Sequence, residues 1–334
     1  MSNKKKIFLL LFILAISFIA DLYFGAIHID FYTFLNTLIG RNTDNFIHKI
    51  IFVFRLPKAL TAILVGMALS VAGLLMQTFF SNPLASPSEL GVSSGASLGV
   101  ASFMLSSGLV WGEKLAIETY YLIIFLAVIG AVLVMLLMIA LSSSVRQMSA
   151  VLIIGLMLNS LVLAVLGFWQ FLSSPEQIRD FLWWSFGSLQ TTNYPQILIM
   201  TFMIAGIFFW IFFHIKNLNA LLIGERYAQT MGVKVSHLRW QLIIWVGVLA
   251  GLVTAFCGPI GFVGLAVPHL SRALLRTANH RLLLPFSALM GAIILLCCDM
   301  IASNIYGNFV LPINIITALF GSPVVIWIIM KRRF

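Results

Sequence analysis

Charged residues are scarce in this sequence: Asp, Glu, Lys and Arg together occupy 9% of 334 positions, against about 25% in a soluble domain. So little polar surface cannot coat a water-exposed globule, and a mean hydropathy of +1.07 points the same way. Also lacking is any hydrophilic run long enough for a separate soluble domain. The three cysteines, Cys257, Cys297 and Cys298, all fall inside apolar stretches with no metal-ligand spacing. They read as small buried hydrophobes, which leaves neither a disulfide framework nor a zinc site. No Gly-x-x-x-x-Gly-Lys-Ser/Thr loop occurs, so the chain is not expected to hydrolyse ATP by itself. Paired carboxylates, a His cluster, or a nucleophile beside a base are missing from the apolar stretches, which argues against an intramembrane enzyme. A transferase acting on metal-bound pyrophosphate would need clustered acids that the chain also lacks.

What the sequence has in abundance is apolar side chains, 61% of the total. At about 20 residues per crossing, that is enough for around ten membrane helices joined by short loops. Windows of about 19 residues place them near 7–26, 51–80, 90–111, 118–142, 149–172, 193–213, 239–257, 259–275, 282–302 and 311–330. The predicted fold class is an all-α, polytopic membrane protein with about ten transmembrane helices, a single transmembrane domain over 1–334. The first helix follows Lys4-Lys5-Lys6 and is expected to be retained, because no small-x-small cleavage site closes it.

The net charge of +10 needs no nucleic acid, because the basic residues sort by loop. With the amino terminus inside, inner loops collect Lys4, Lys5, Lys6, Arg146, Lys216, Arg226, Lys234, Arg239, Arg272, Arg276, Arg281, Lys331, Arg332 and Arg333. The outer loops hold only Arg41, Lys49, Arg55, Lys58, Lys114 and Arg179. The positive-inside rule therefore puts both termini in the cytoplasm, with lipid head groups as partners of the basic residues. Outside, Ser174-Pro175 with Gln177 is a helix-start signal that predicts a short interfacial helix carrying Trp183 and Trp184 at head-group level.

The intramembrane ionisable candidates are Asp299 and His269. Asp299 is a candidate proton relay by default, yet it lies near the outer end of its helix, where it can reach the interface or pair with Asn304. His269, in Val267-Pro268-His269, reads either as a functional group or as a satisfied polar residue at a proline kink. Gly91, Gly95 and Gly99, among serines, allow close helix approach. The preceding Asn82-Pro83-Leu84-Ala85-Ser86-Pro87 cannot be regular helix, so its backbone must face protein or a water-filled cavity.

Arg55-Leu56-Pro57-Lys58-Ala59-Leu60, Asn82-Pro83-Leu84-Ala85, Leu90-Gly91-Val92-Ser93-Ser94-Gly95-Ala96, Gly261-Phe262-Val263-Gly264-Leu265, Val267-Pro268-His269, His280-Arg281-Leu282-Leu283-Leu284-Pro285 and Gly321-Ser322-Pro323 together resemble a known series. They are similar, in order, to the signatures of the iron-chelate and cobalamin permeases of ATP-binding-cassette importers, from about residue 50 to the carboxyl terminus. The resemblance implies a multi-pass bacterial inner-membrane permease subunit for ferric siderophore, haem or cobalamin. It implies a second permease subunit, identical or paralogous, two cytoplasmic ATPase subunits that use the ATP, and an extracytoplasmic binding protein. No cofactor or metal is expected on this chain. In the inner segment 214–239, Gly224, Glu225, Ala228 and Gly232 resemble the family's ATPase-coupling element, Glu-x-x-Ala-x-x-x-Gly. Glu225 and Ala228 would share a face of a short helix ended by Gly232, with a second short helix N-capped by Ser236. Arg55 and Lys58 resemble the outer basic contacts that receive the binding protein, while a third such position is Ser303 here. Asn82, Pro83, Gly91, Gly95, His269 and Asp299 remain candidates for gating or packing. A proton-coupled carrier using Asp299 is the rival from another class.

Overall fold

Apolar periodicity without turn-rich strand signals predicts helices throughout, and every regular element among the described residues is helical. The computed structural model describes residues 3–25, 27–41, 45–105, 118–142, 148–304 and 310–331. Helix α1 (Asn3–Tyr23) is followed by the short α2 (Phe31–Leu38) and α3 (Asn45–Lys49). A π-helical stretch, Ile50–Arg55, joins α3 to α4 (Leu56–Phe79) without a break. After an irregular segment, 80–91, come α5 (Val92–Met104), α6 (Glu118–Ser142), α7 (Met148–Phe171), α8 (Pro175–Ser185) and α9 (Tyr194–Phe213). The rest of the chain forms α10 (Ile215–Leu221), α11 (Glu225–Thr230), α12 (Val235–Cys257), α13 (Val263–Leu275), α14 (His280–Asn304) and α15 (Ile313–Lys331).

Among the described residues seven helices are long and apolar enough to cross a membrane, and shorter apolar stretches in α5, α13 and α15 stand where the other expected crossings lie. The continuous helix Asn45–Phe79 has 35 residues. Its length of roughly 50 Å exceeds the ~30 Å hydrocarbon core, so one end projects beyond it. Residues 106–111 of the expected third crossing, and the loop charges Glu113, Lys114, Arg146, Arg332 and Arg333, lie outside the described residues.

Helix boundaries differ from the sequence expectation where local chemistry overrides hydropathy. Helix α13 starts at Val263 instead of 259, because Pro259 has no amide to donate and Gly258 and Phe262 both take positive φ, 74° and 65°. Helix α12 starts at Val235, with no side-chain cap at Lys234. Ser236 is therefore not the N-cap of a separate short helix. Burial of Val235, Leu238 and Leu242 on one face carries the helix straight into the bundle. The short helix α8 forms as predicted, with Ser174 and Gln177 making a reciprocal capping box. Trp183 is exposed on it, while Trp184 turns inward against Phe181.

Helices α4 and α12 occupy the centre, with α4 packed against α12, α13 and α14, and α6 against α5 and α12. Small residues set these distances. A Cβ added at Gly66 would lie 2.3 Å from the carbonyl oxygen of Gly291, and one at Gly95 2.5 Å from that of Gly130. Such backbone contact is what holds helices together where lipid removes the hydrophobic driving force between them. Outer faces are greasy: Phe125 and Leu133 on α6, Phe168 and Phe171 on α7, and Phe202 and Phe209 on α9 are all exposed.

Candidate functional site

Polar side chains collect at the two ends of the bundle. At one end the chain leaves α9, turns through His214 and makes α10 and α11 before entering α12. Gly224, with φ of 124°, opens α11. Gly232, with φ of 85°, closes it: its amide donates to Gln229 and that of Val233 to Ala228, the paired bonds of a Schellman cap. The left-handed conformation expected at Gly232 is present. Ala228 is fully buried and pins α11 down, while Arg239 of α12 donates to Glu225 at 2.9 Å. Two stubby helices do form a knob, but they are α10 and α11, not a pair on either side of Gly232.

Beside this knob lies the broken segment 80–91. Asn82 is buried and its Oδ1 accepts from the amide of Leu84 at 2.9 Å, a local turn that replaces helix bonds. The carbonyl of Pro83 would be orphaned, and the Nε2 of buried His269 reaches it at 2.6 Å. The sequence places His269 at a kink, and the structure adds the segment it supports. Gly91 takes a left-handed φ of 78° at the start of α5, and Gly95 packs on Gly130.

At the opposite end α1 finishes, α4 begins and α14 finishes. Lys58 of α4 and Asp299 of α14 form an ion pair at 2.6 Å, and both are buried. The ammonium also donates to Ser303 Oγ at 3.0 Å and lies 4.0 Å from Asp21 of α1. Arg55 is buried too and donates to the carbonyls of Leu22 (2.9 Å), Tyr23 (2.6 Å) and Ile27. A guanidinium on the last carbonyls of α1 satisfies its unpaired acceptors and complements its dipole. This corrects two expectations. Arg55 and Lys58 are not free surface charges, because α1 and α14 fold over them. Asp299 does not pair with Asn304, whose amide donates to Met300 of its own helix.

Asp21 is the functional candidate that sequence reasoning passed over. It sits fully buried, its carboxyl group beside Asp299 and Lys58, and an acid within the apolar run of α1 was the available signal. A cavity of about 320 Å³ opens on this end, lined by Arg55, Lys58, Gln190 and Ser303 among apolar residues. No cluster of three or more metal-ligating side chains occurs among the described residues.

A bundle of long apolar helices, a capped helical knob at one end and a buried charge cluster at the other define a polytopic membrane protein. Comparison with known proteins agrees: a sequence model of the FecCD transport family matches residues 13–331. The hemin transport system permease protein HmuU of Yersinia pestis is 33% identical over 325 residues, 97% of this chain and 95% of that protein. The vitamin B12 import system permease protein BtuC of Citrobacter koseri is 35% identical over 280 residues, 84% of this chain and 82% of that protein. A solved inward-facing metal-chelate type ABC transporter superposes with a TM-score of 0.83 at 29% identity, covering 98% of this chain and 99% of that one. The chain belongs to the FecCD transport family and is a membrane permease component.

Proposed function

We propose that this chain is the permease subunit of an ATP-driven importer that moves ferric siderophore or haem-type chelates into the cytoplasm. Similarity to a hemin permease along almost the whole of both chains is the observation that carries the reading. The α10–α11 knob would face the cytoplasm and seat on a partner ATPase, with Gly224, Glu225, Ala228 and Gly232 as its coupling residues. Two such ATPases would bind and hydrolyse the ATP, a second permease copy or paralogue would complete the pathway, and an external binding protein would deliver the chelate. The protein would sit in the bacterial cytoplasmic membrane and form no covalent bond to its cargo. Asp21, Arg55, Lys58 and Asp299 would then lie at the external end, where the buried cluster ties α1 and α14 to α4 beside the entry cavity.

Cobalamin is the second reading, favoured by similarity to a vitamin B12 permease. Proteoliposomes holding the permease, its ATPase and the binding protein distinguish the two. Hemin or a ferric siderophore should accumulate only with ATP, and cyanocobalamin should not. Accumulation of cyanocobalamin alone would replace the first reading by the second. Uptake driven by a proton gradient with no ATPase present would overturn both.

A further inference from the structure

A chain of polar side chains, half-buried at Asn219 and buried at His280 and Thr78, joins the knob to two of the long helices. Asn219 of α10 places its Oδ1 2.9 Å from both the backbone nitrogen and the Nδ1 of His280, the first residue of α14. Its Nδ2 donates to Asn279 Oδ1 at 3.0 Å, which fixes the amide orientation. An amide oxygen only accepts, so Nδ1 carries the hydrogen and Nε2 of the neutral ring is the acceptor. Facing Nε2 at 2.8 Å is the hydroxyl of Thr78, near the end of α4. His280 is fully buried and Thr78 nearly so. The Thr78 hydroxyl also lies 2.9 Å from the Leu74 carbonyl in its own helix, so its single proton has two acceptors to choose from.

The two halves of this chain differ mechanically. Asn219 grips α14 by two accepted bonds and a third through Asn279, so α10 and the start of α14 move as one piece. Within this chain the step from His280 to α4 is one bond, and it can open without stranding the Thr78 hydroxyl, which turns to Leu74. A second polar tie of the knob, Glu225 to Arg239, is half exposed, where ion pairs are weak. We propose that Asn219, His280 and Thr78 form the joint through which movement of the knob reaches the inner ends of α14 and α4. All three are positioning residues, and the proposal rests on the reading of segment 214–239 as the ATPase-coupling element.

The test uses the whole complex in proteoliposomes with hemin as the probe, and reads hemin taken up per ATP hydrolysed. Asn219→Leu and Thr78→Val keep side-chain size but cannot make these bonds. Each is expected to lower the ratio about tenfold, within the range of ordinary coupling energies, while hydrolysis continues. Asn219→Asp keeps the accepting oxygen and Thr78→Ser keeps the hydroxyl, and both should stay within about twofold of wild type. An unchanged ratio in Asn219→Leu and Thr78→Val overturns the joint, including where thermal stability falls, since that is what packing alone would give. Gly232→Val, measured alongside, separates the failures. If it uncouples while the other two do not, only the joint falls, whereas a wild-type ratio in all three overturns the coupling assignment as well.

Discussion

Lys58 ties three helices together at the end of the bundle opposite the knob. Two carboxylates, Asp21 and Asp299, converge on its one ammonium, and each of the three sits on a different helix. Removing one partner of a buried charge pair leaves the other uncompensated, which costs about 3–5 kcal/mol. Lys58→Met, which strands the Asp299 carboxylate, is expected to lose about that much, seen as a large drop in the thermal unfolding midpoint in detergent. Asp299→Asn should be milder, because Lys58 keeps Ser303 and Asp21 within reach. A Lys58→Met protein that unfolds at the wild-type temperature would mean that the cluster does not hold α1 to the bundle.

Between helices the decisive contacts are made by the smallest residues. Gly291 of α14 faces Gly66 of α4 so closely that an added Cβ would lie 2.2 Å from the Gly66 carbonyl, a backbone atom that cannot rotate away. Gly291→Leu should therefore force α14 off α4 and reduce both membrane yield and thermal stability, by roughly 2 kcal/mol or more. Gly206 on α9 has nothing within 4 Å, so Gly206→Leu should fall within about 0.5 kcal/mol of wild type. Equal effects in the two variants would show that glycine content, and not these approaches, sets the stability. Neither partner can be picked out from sequence, because both glycines sit in runs of similar composition and only the crossing point distinguishes them.

On the scale of the whole chain, the asymmetry of basic residues predicts which end faces the cytoplasm. In a background without Cys257, Cys297 and Cys298, a cysteine in place of exposed Ser236, beside the knob, should react with an impermeant maleimide only from the cytoplasmic side. One in place of exposed Glu176, on α8, should react only from outside. Labelling of both from one side would break the arrangement, because α12 and α8 would then share an end of the bundle. The same orientation puts the Asn219–His280–Thr78 chain inside and the Lys58 cluster outside, so one experiment bears on both ends.

The membrane class, the position of nearly every long helix and the capping of α8 followed from the sequence alone, because hydropathy and cap chemistry are local and each is written within some twenty consecutive residues. Gly232 was legible for the same reason: a turn that needs positive φ selects glycine. The partners of Lys58 were not legible. Asp21 and Asp299 are far from it in the chain, and nothing in the charge pattern distinguishes a basic residue facing solvent from one covered by two helices. Nor was the tie from His280 to Asn219 and Thr78, which spans three elements. Tertiary structure decided these pairings because burial excludes the water that would otherwise satisfy each group, so Lys58 and His280 depend on partners that only the fold brings within reach.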